Sequence, residues 1–132
     1  MSFKLKQLSV IGALVVISSG IFGCGNTDDV IASSELVARI ESGSAPLVLD
    51  VRTPEEYAAG HIPGAINITH TELGNRISEI EEHRNDEIVV HCRSGKRAGL
   101  AEAVLLDAGF TRVRDLDGHM LQWQENGYPI EQ

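Results

Sequence analysis

From residue 33 onward, short apolar runs alternate with stretches whose apolar residues recur at helical spacing. Ser33 or Ser34 is placed to cap a helix running to about Ser42, with Gly43 behind it as a stop signal. Leu47-Val48-Leu49-Asp50-Val51 is a continuous apolar run suited to a strand covered on both faces. Thr53-Pro54-Glu55-Glu56 then opens a short helix: Thr53 is the N-cap, Pro54 sits in the first turn, and two acids face the positive helix end. Gly60 ends it, 61–64 is a turn, and 65–68 is a brief strand. Thr71 starts a helix carrying Leu73, Ile77 and Ile80, and 87–91 is the next strand. A loop over 92–96 leads into a helix over 97–108 with Leu100, Val104 and Leu105 on one face, stopped by Gly109. A strand over 113–116 and a helix over 120–126, with Trp123 as a core residue, complete the pattern. Strands alternating with helices predict an α/β fold with a central parallel β-sheet and helices on both faces.

The first two dozen residues follow a different pattern. Lys4 and Lys6 precede an uncharged run from Leu8 to Ile17, and small residues lead to Cys24. The uncharged stretch ends by Gly25, short of the ~20 apolar residues a spanning helix needs, and reads as an export signal. The expected organisation is a signal peptide over 1–23, a polar tether over 24–32 and one domain over 33–132. Loss of Lys4 and Lys6 leaves nine basic residues against 19 acidic ones, a net charge of −10. Such a chain has no diffuse basic surface for nucleic acid.

Against that background, Cys92-Arg93-Ser94-Gly95-Lys96-Arg97 is a local basic cluster beside a cysteine, between a strand and a helix N-terminus. That sheet edge is where ligands bind in open α/β folds. Unpaired helix amides, the helix dipole and a glycine-containing loop favour bound anions, and the three cations add to the field. The same features favour thiolate over thiol, the form that acts as nucleophile. The bland alternative is a small buried cysteine under a solvated turn. His91 points away from Cys92 if the strand alternates. The five histidines lack metal-ligand spacing, so no metal is expected.

Three segments together resemble the rhodanese-domain family. They are Leu49 to Tyr57 followed by Gly60 to Asn67, Ile88 to Arg97, and Leu116-Asp117-Gly118 with Trp123 and Gly127-Tyr128-Pro129-Ile130. The resemblance covers about residues 33–132 and implies a rhodanese-like three-layer fold. It implies a sulfurtransferase in which Cys92 carries sulfane sulfur as a persulfide, taken from a small anionic donor such as thiosulfate, or from a persulfide, and passed to a thiol or cyanide. Arg93, Ser94, Gly95, Lys96 and Arg97 would form the substrate-binding loop, with no cofactor. Asp50 and Arg52 would act as structural support, and His61 as a loop anchor through backbone hydrogen bonds. His119 stands where many members have a second glycine; lying outside the cysteine loop, it is expected to have little bearing on it.

Ile21-Phe22-Gly23-Cys24 is similar to the lipobox of bacterial lipoproteins, although Phe22 is bulky for that pattern. It implies lipid attachment at Cys24 and an exported protein held at a membrane, facing the periplasm or the cell exterior. The alternative is ordinary cleavage after Gly20 and a soluble periplasmic protein. Two other functions fit the same fold. One is a non-enzymatic module that binds a partner or senses redox state or sulfide. The other is a phosphatase or arsenate reductase, disfavoured because those loops place arginine six residues past the cysteine, where this chain has Ala98.

Overall fold

The structure, a computed structural model, describes residues 29–132. The expected signal segment, Cys24 and the start of the tether lie outside these residues. Five parallel strands form one sheet, in the order β1 (Val30–Ile31), β5 (Arg112–Leu116), β4 (Glu87–His91), β2 (Leu47–Asp50) and β3 (Ile66–Asn67). The helices are α1 (Ser33–Glu41), α2 (Pro54–Ala59), α3 (Leu73–Arg76), α4 (Lys96–Asp107) and α5 (His119–Glu125), with a 3-10 helix over Ile77–His83.

Strand alternation divides the core into two layers. Leu49, Ile88 and Val90 pack with Leu73, Ile80, Ala98, Ala101, Leu105 and Phe110 on one face. Val48 and Val89 pack with Ile31, Leu36, Leu116, Met120 and Trp123 on the other. The predicted α/β architecture, a parallel sheet covered on both faces, is therefore what the chain adopts.

Four local readings change. Val30–Ile31, expected within the polar tether, pairs in parallel with β5 as the edge strand, and Ile31 is fully buried. The α1 N-cap is Ala32, without a side-chain bond; its carbonyl accepts Glu35 and Leu36 N–H, which puts Ser33 inside the first turn. The helix expected from Thr71 is a single α turn followed by 3-10 helix, in which the three-residue spacing of Ile77 and Ile80 keeps both on one side. On α4 the inward residues are Ala98, Ala101 and Leu105, while Leu100 is 56% exposed. The small side chains form the contact face and let the helix lie close to the sheet, leaving Leu100 turned outward. The capping box of α2 forms as predicted, with Thr53 and Glu56 bonding reciprocally.

At the N-terminal edge of β4, Glu87 joins three elements. It accepts from Arg39 of α1 at 2.9 Å and from Arg114 of β5 at 2.8 Å. The Arg39 hydrogen bond, aided by Arg114, outweighs burial and lowers the Glu87 pKa to about 2. A depressed carboxylate stabilises the fold above its unfolded pKa and loses that contribution as pH falls through the folded value. Glu87→Gln should therefore cost roughly 2–3 kcal/mol at pH 7. Urea unfolding of wild type and variant should converge as pH falls from about 4.5 toward 2.

Candidate functional site

The cysteine loop leaves the C-terminal end of β4 and enters α4, whose N-cap, Gly95, has φ +121°. Its carbonyls are turned away from the cup by α5. Met120 N–H donates to Cys92 O at 3.1 Å, and Leu121 N–H donates to Arg93 O at 3.2 Å. These are first-turn amides with no partner inside their own helix. Gly95 N–H consequently points to Cys92 Sγ, at 3.0 Å. The Arg93 and Ser94 amides have no acceptor among the described residues. Successive unpartnered amides in such a loop can form a concave set of donors that favours an anion. Cys92 is 1% exposed, more enclosed than an open cup.

The three cations are not equivalent. Arg93 and Lys96 are exposed and form no ion pair among the described residues. Arg97 turns back to α2, where its two terminal nitrogens meet the Glu56 carboxylate at 2.6 and 3.1 Å. Arg97 thus serves two partners: Glu56 raises its pKa first, and interaction with Cys92 raises it further. The Arg97 hydrogen bond, with the Thr53 backbone N–H, lowers the Glu56 pKa to about 2. Sequence reasoning placed Glu56 only in a helix cap, and nothing local signals a partner 41 positions away.

Beneath the loop, Asp50 is fully buried against Arg52: Nε is 3.0 and 3.1 Å from its two oxygens, and the Arg52 NH2 group is 2.7 Å from Oδ2. The same NH2 group donates to Gly60 O at 2.8 Å, fastening the end of α2 to the end of β2. Asn67 Nδ2 adds bonds to the carbonyls of Asp50 and Arg52. His91 is fully buried, and burial pushes its pKa down to about 4, against the pull of Asp50, so the ring is neutral at pH 7. Its Nε2 lies 3.7 Å from Asp50 Oδ2. His61 stacks on Tyr57 and holds Tyr57 O through Nδ1 at 2.9 Å, while its backbone pairs with Glu131. None of its hydrogen bonds reaches the cysteine loop. No group of three or more metal-ligating side chains occurs among the described residues.

His119 overturns the expectation that it bears little on the loop. It is buried, and its Nδ1 lies 3.3 Å from Cys92 N. Its Nε2 lies 2.9 Å from where a Gly95 Cβ would stand, so a side chain at residue 95 would press on the ring, and the φ of +121° there also favours glycine. It is also the one non-glycine residue with positive φ, +51°, among the described residues, a conformation that strains an L side chain by about 1–2 kcal/mol. The sequence signal was the substitution itself, a bulky polar residue where glycine suits the backbone.

A family model, the rhodanese-like domain, matches residues 32–126. The HTH-type transcriptional regulator Rv0324 of Mycobacterium tuberculosis is 44% identical over 110 residues, covering 82% of this chain but 47% of that protein. A sulfurtransferase of Allochromatium vinosum is 38% identical over 100 residues, covering 76% of this chain and 92% of that protein. Among solved structures, the human single-domain sulfurtransferase TSTD1 matches with a TM-score of 0.62 and 34% identity, covering 74% of this chain and 96% of that one. The chain therefore belongs to the rhodanese-like domain family, and the two sulfurtransferases among these relatives support a sulfurtransferase-type role.

The Glu56–Arg97 pair is testable as a double-mutant cycle. Glu56→Gln and Arg97→Ala should show a coupling of about 1–2 kcal/mol in urea unfolding at pH 7, as for a partly buried, two-point ion pair. Because the carboxyl pKa is lowered to about 2 by Arg97, the coupling should hold above pH 4.5 and vanish as pH falls toward 2.

Proposed function

We propose that the protein is a sulfurtransferase that moves one sulfane sulfur through a persulfide on Cys92. The observation that carries this reading is the Gly95 N–H placed 3.0 Å from Cys92 Sγ, in a loop whose carbonyls are held elsewhere. With thiosulfate, the Cys92 thiolate attacks the outer sulfur. A Cys92 S–S bond forms, the thiosulfate S–S bond breaks, and sulfite leaves with its electron pair. Cyanide or a thiolate then attacks the outer sulfur of Cys92–S–S⁻, and Cys92 departs as thiolate. The negative terminal sulfur needs donors that do not reorganise, which the Arg93, Ser94 and Gly95 amides supply. Arg93 and Lys96, exposed and without an ion pair among the described residues, draw the anionic donor inward; Arg97, paired with Glu56 and interacting with Cys92, shapes the loop. Asp50, Arg52 and His61 brace the neighbouring turns. No metal or organic cofactor takes part in these steps.

A second reading draws on the 1% exposure of Cys92: a module that binds a partner or senses oxidants or sulfide, modified once and not turned over. Incubation with thiosulfate should add the mass of one sulfur atom to the intact protein, and cyanide should remove it as thiocyanate. Cys92→Ser should abolish both steps with the fold intact, because a hydroxyl is far more basic than a thiol and forms no persulfide. Absence of sulfur uptake by wild type would leave the binding module.

The lipobox-like segment supports export and a lipid anchor at Cys24, although no described helix is long and apolar enough to cross a membrane and the segment itself lies outside the described residues. Expressed in a bacterium, the full chain should sediment with membranes, and Cys24→Ser should release it or block its processing. Recovery of wild type as a soluble periplasmic species cleaved after Gly20 would contradict the anchor.

A further inference from the structure

His119 has two neighbours that fix where its hydrogen sits. Nδ1 faces the Cys92 N–H, a donor, and is therefore the bare nitrogen. Nε2 lies 3.4 Å from Asp115 Oδ2, an acceptor, and therefore carries the hydrogen. Glycine would meet the +51° φ without strain, so the histidine side chain is held in place for what its ring contacts.

We propose that His119, as a neutral imidazole protonated at Nε2, is the positioning residue that fixes the Cys92 backbone, and that a proton taken up at Nδ1 releases it. The proposal rests on the reading of Cys92 as the reacting thiol. A protonated ring would set an N–H against the Cys92 N–H, two donors face to face. The loop would yield, because Cys92 and Gly95 both contact this ring, and Gly95 N–H would leave Sγ.

The charged and titratable groups around the ring come from three elements. From β5, the Asp115 carboxylate faces Nε2. From α4, Glu102 is half-buried; burial, then its hydrogen bond with Asp115, raises its pKa to about 7. Asp115 is lowered instead: bonds from His119 and Glu102 outweigh its burial. The two carboxyls are thus shifted in opposite directions, Glu102 up and Asp115 down. From β4, buried neutral His91 adds none at pH 7. Behind it lies the Asp50–Arg52 pair.

The test compares full-length wild type, His119→Asn and His119→Gly. Asparagine tolerates left-handed backbone and offers Oδ1 where Nδ1 stands, but does not titrate. Glycine keeps the backbone and removes the acceptor. The readout is the rate of Cys92 alkylation by iodoacetamide from pH 4.5 to 9, with far-UV circular dichroism as a check on folding. Wild type should lose rate more steeply than one decade per pH unit on the acid side, because a second proton acts on the loop. His119→Asn should stay within about threefold of wild type at pH 8 and fall with a slope of one. His119→Gly should be about tenfold slower than wild type at pH 6.5. If His119→Gly does not fold, the slope of His119→Asn still decides the matter. A slope of one in wild type, or a glycine variant that tracks wild type throughout, would overturn the proposal. Alkylation reads the thiol and not sulfur transfer. Wild type that shows the steep limb without sulfur uptake would sink the sulfurtransferase reading and leave the role of His119 standing.

Discussion

The site depends on two hydrogen bonds, from the first amides of α5 to the carbonyls of Cys92 and Arg93. A short loop between a strand and a helix has as many carbonyls as amides, and an anion is held only if the carbonyls face elsewhere. The first turn of α5 satisfies them with amides that would otherwise lack partners. Its approach is fixed by Gly118, at φ +74°, where a Cβ would stand 2.2 Å from Gln122 Cβ. Further along the helix, buried Trp123 donates to Pro129 O and meets Tyr128 edge-on, so the C-terminal segment fastens α5 in turn. The loop conformation is therefore set by contacts 28 residues distant in sequence, and the cysteine segment alone does not determine it.

Ion pairs brace the turns around the loop. Asp50 and Arg52 are both buried, and isolated burial of either charge would be costly; their two-point pairing, with Gly60 O taking a further Arg52 hydrogen, meets most of the guanidinium's demand. Glu56 and Arg97 do the same for α2 and α4 nearer the surface. The removal of one partner would hurt more than the pair helps, since it strands the other charge. Arg93 and Lys96, by contrast, are exposed and form no ion pair among the described residues.

Features encoded locally were legible in the sequence. The buried strand Leu47–Asp50, the Thr53 capping box and the strand–loop–helix around Cys92 each declare themselves within a few residues, and the order of the elements implied the parallel sheet. Three neighbouring family motifs sharpened that reading, because their joint order is specific where each alone is not. Contacts that join distant segments were not legible. The Glu56 partner of Arg97 lies on another helix, 41 positions away, and no local pattern signals it. Val30–Ile31 read as tether because a two-residue edge strand has too little pattern to register. Leu100 read as core because a helical period does not say whether leucines or alanines face the sheet. His119 lies outside the cysteine loop in sequence, and only the topology brings the start of α5 against that loop.

The central claim is that the loop amides face the Cys92 sulfur and receive what it carries. Two-dimensional 1H–15N NMR of the native protein, recorded before and after reaction with one equivalent of thiosulfate, tests it directly. The amide signals of Arg93, Ser94 and Gly95 should shift, stay shifted once the free donor is removed, and return on addition of cyanide. Signals that do not move, or that move equally in Cys92→Ser, would contradict it.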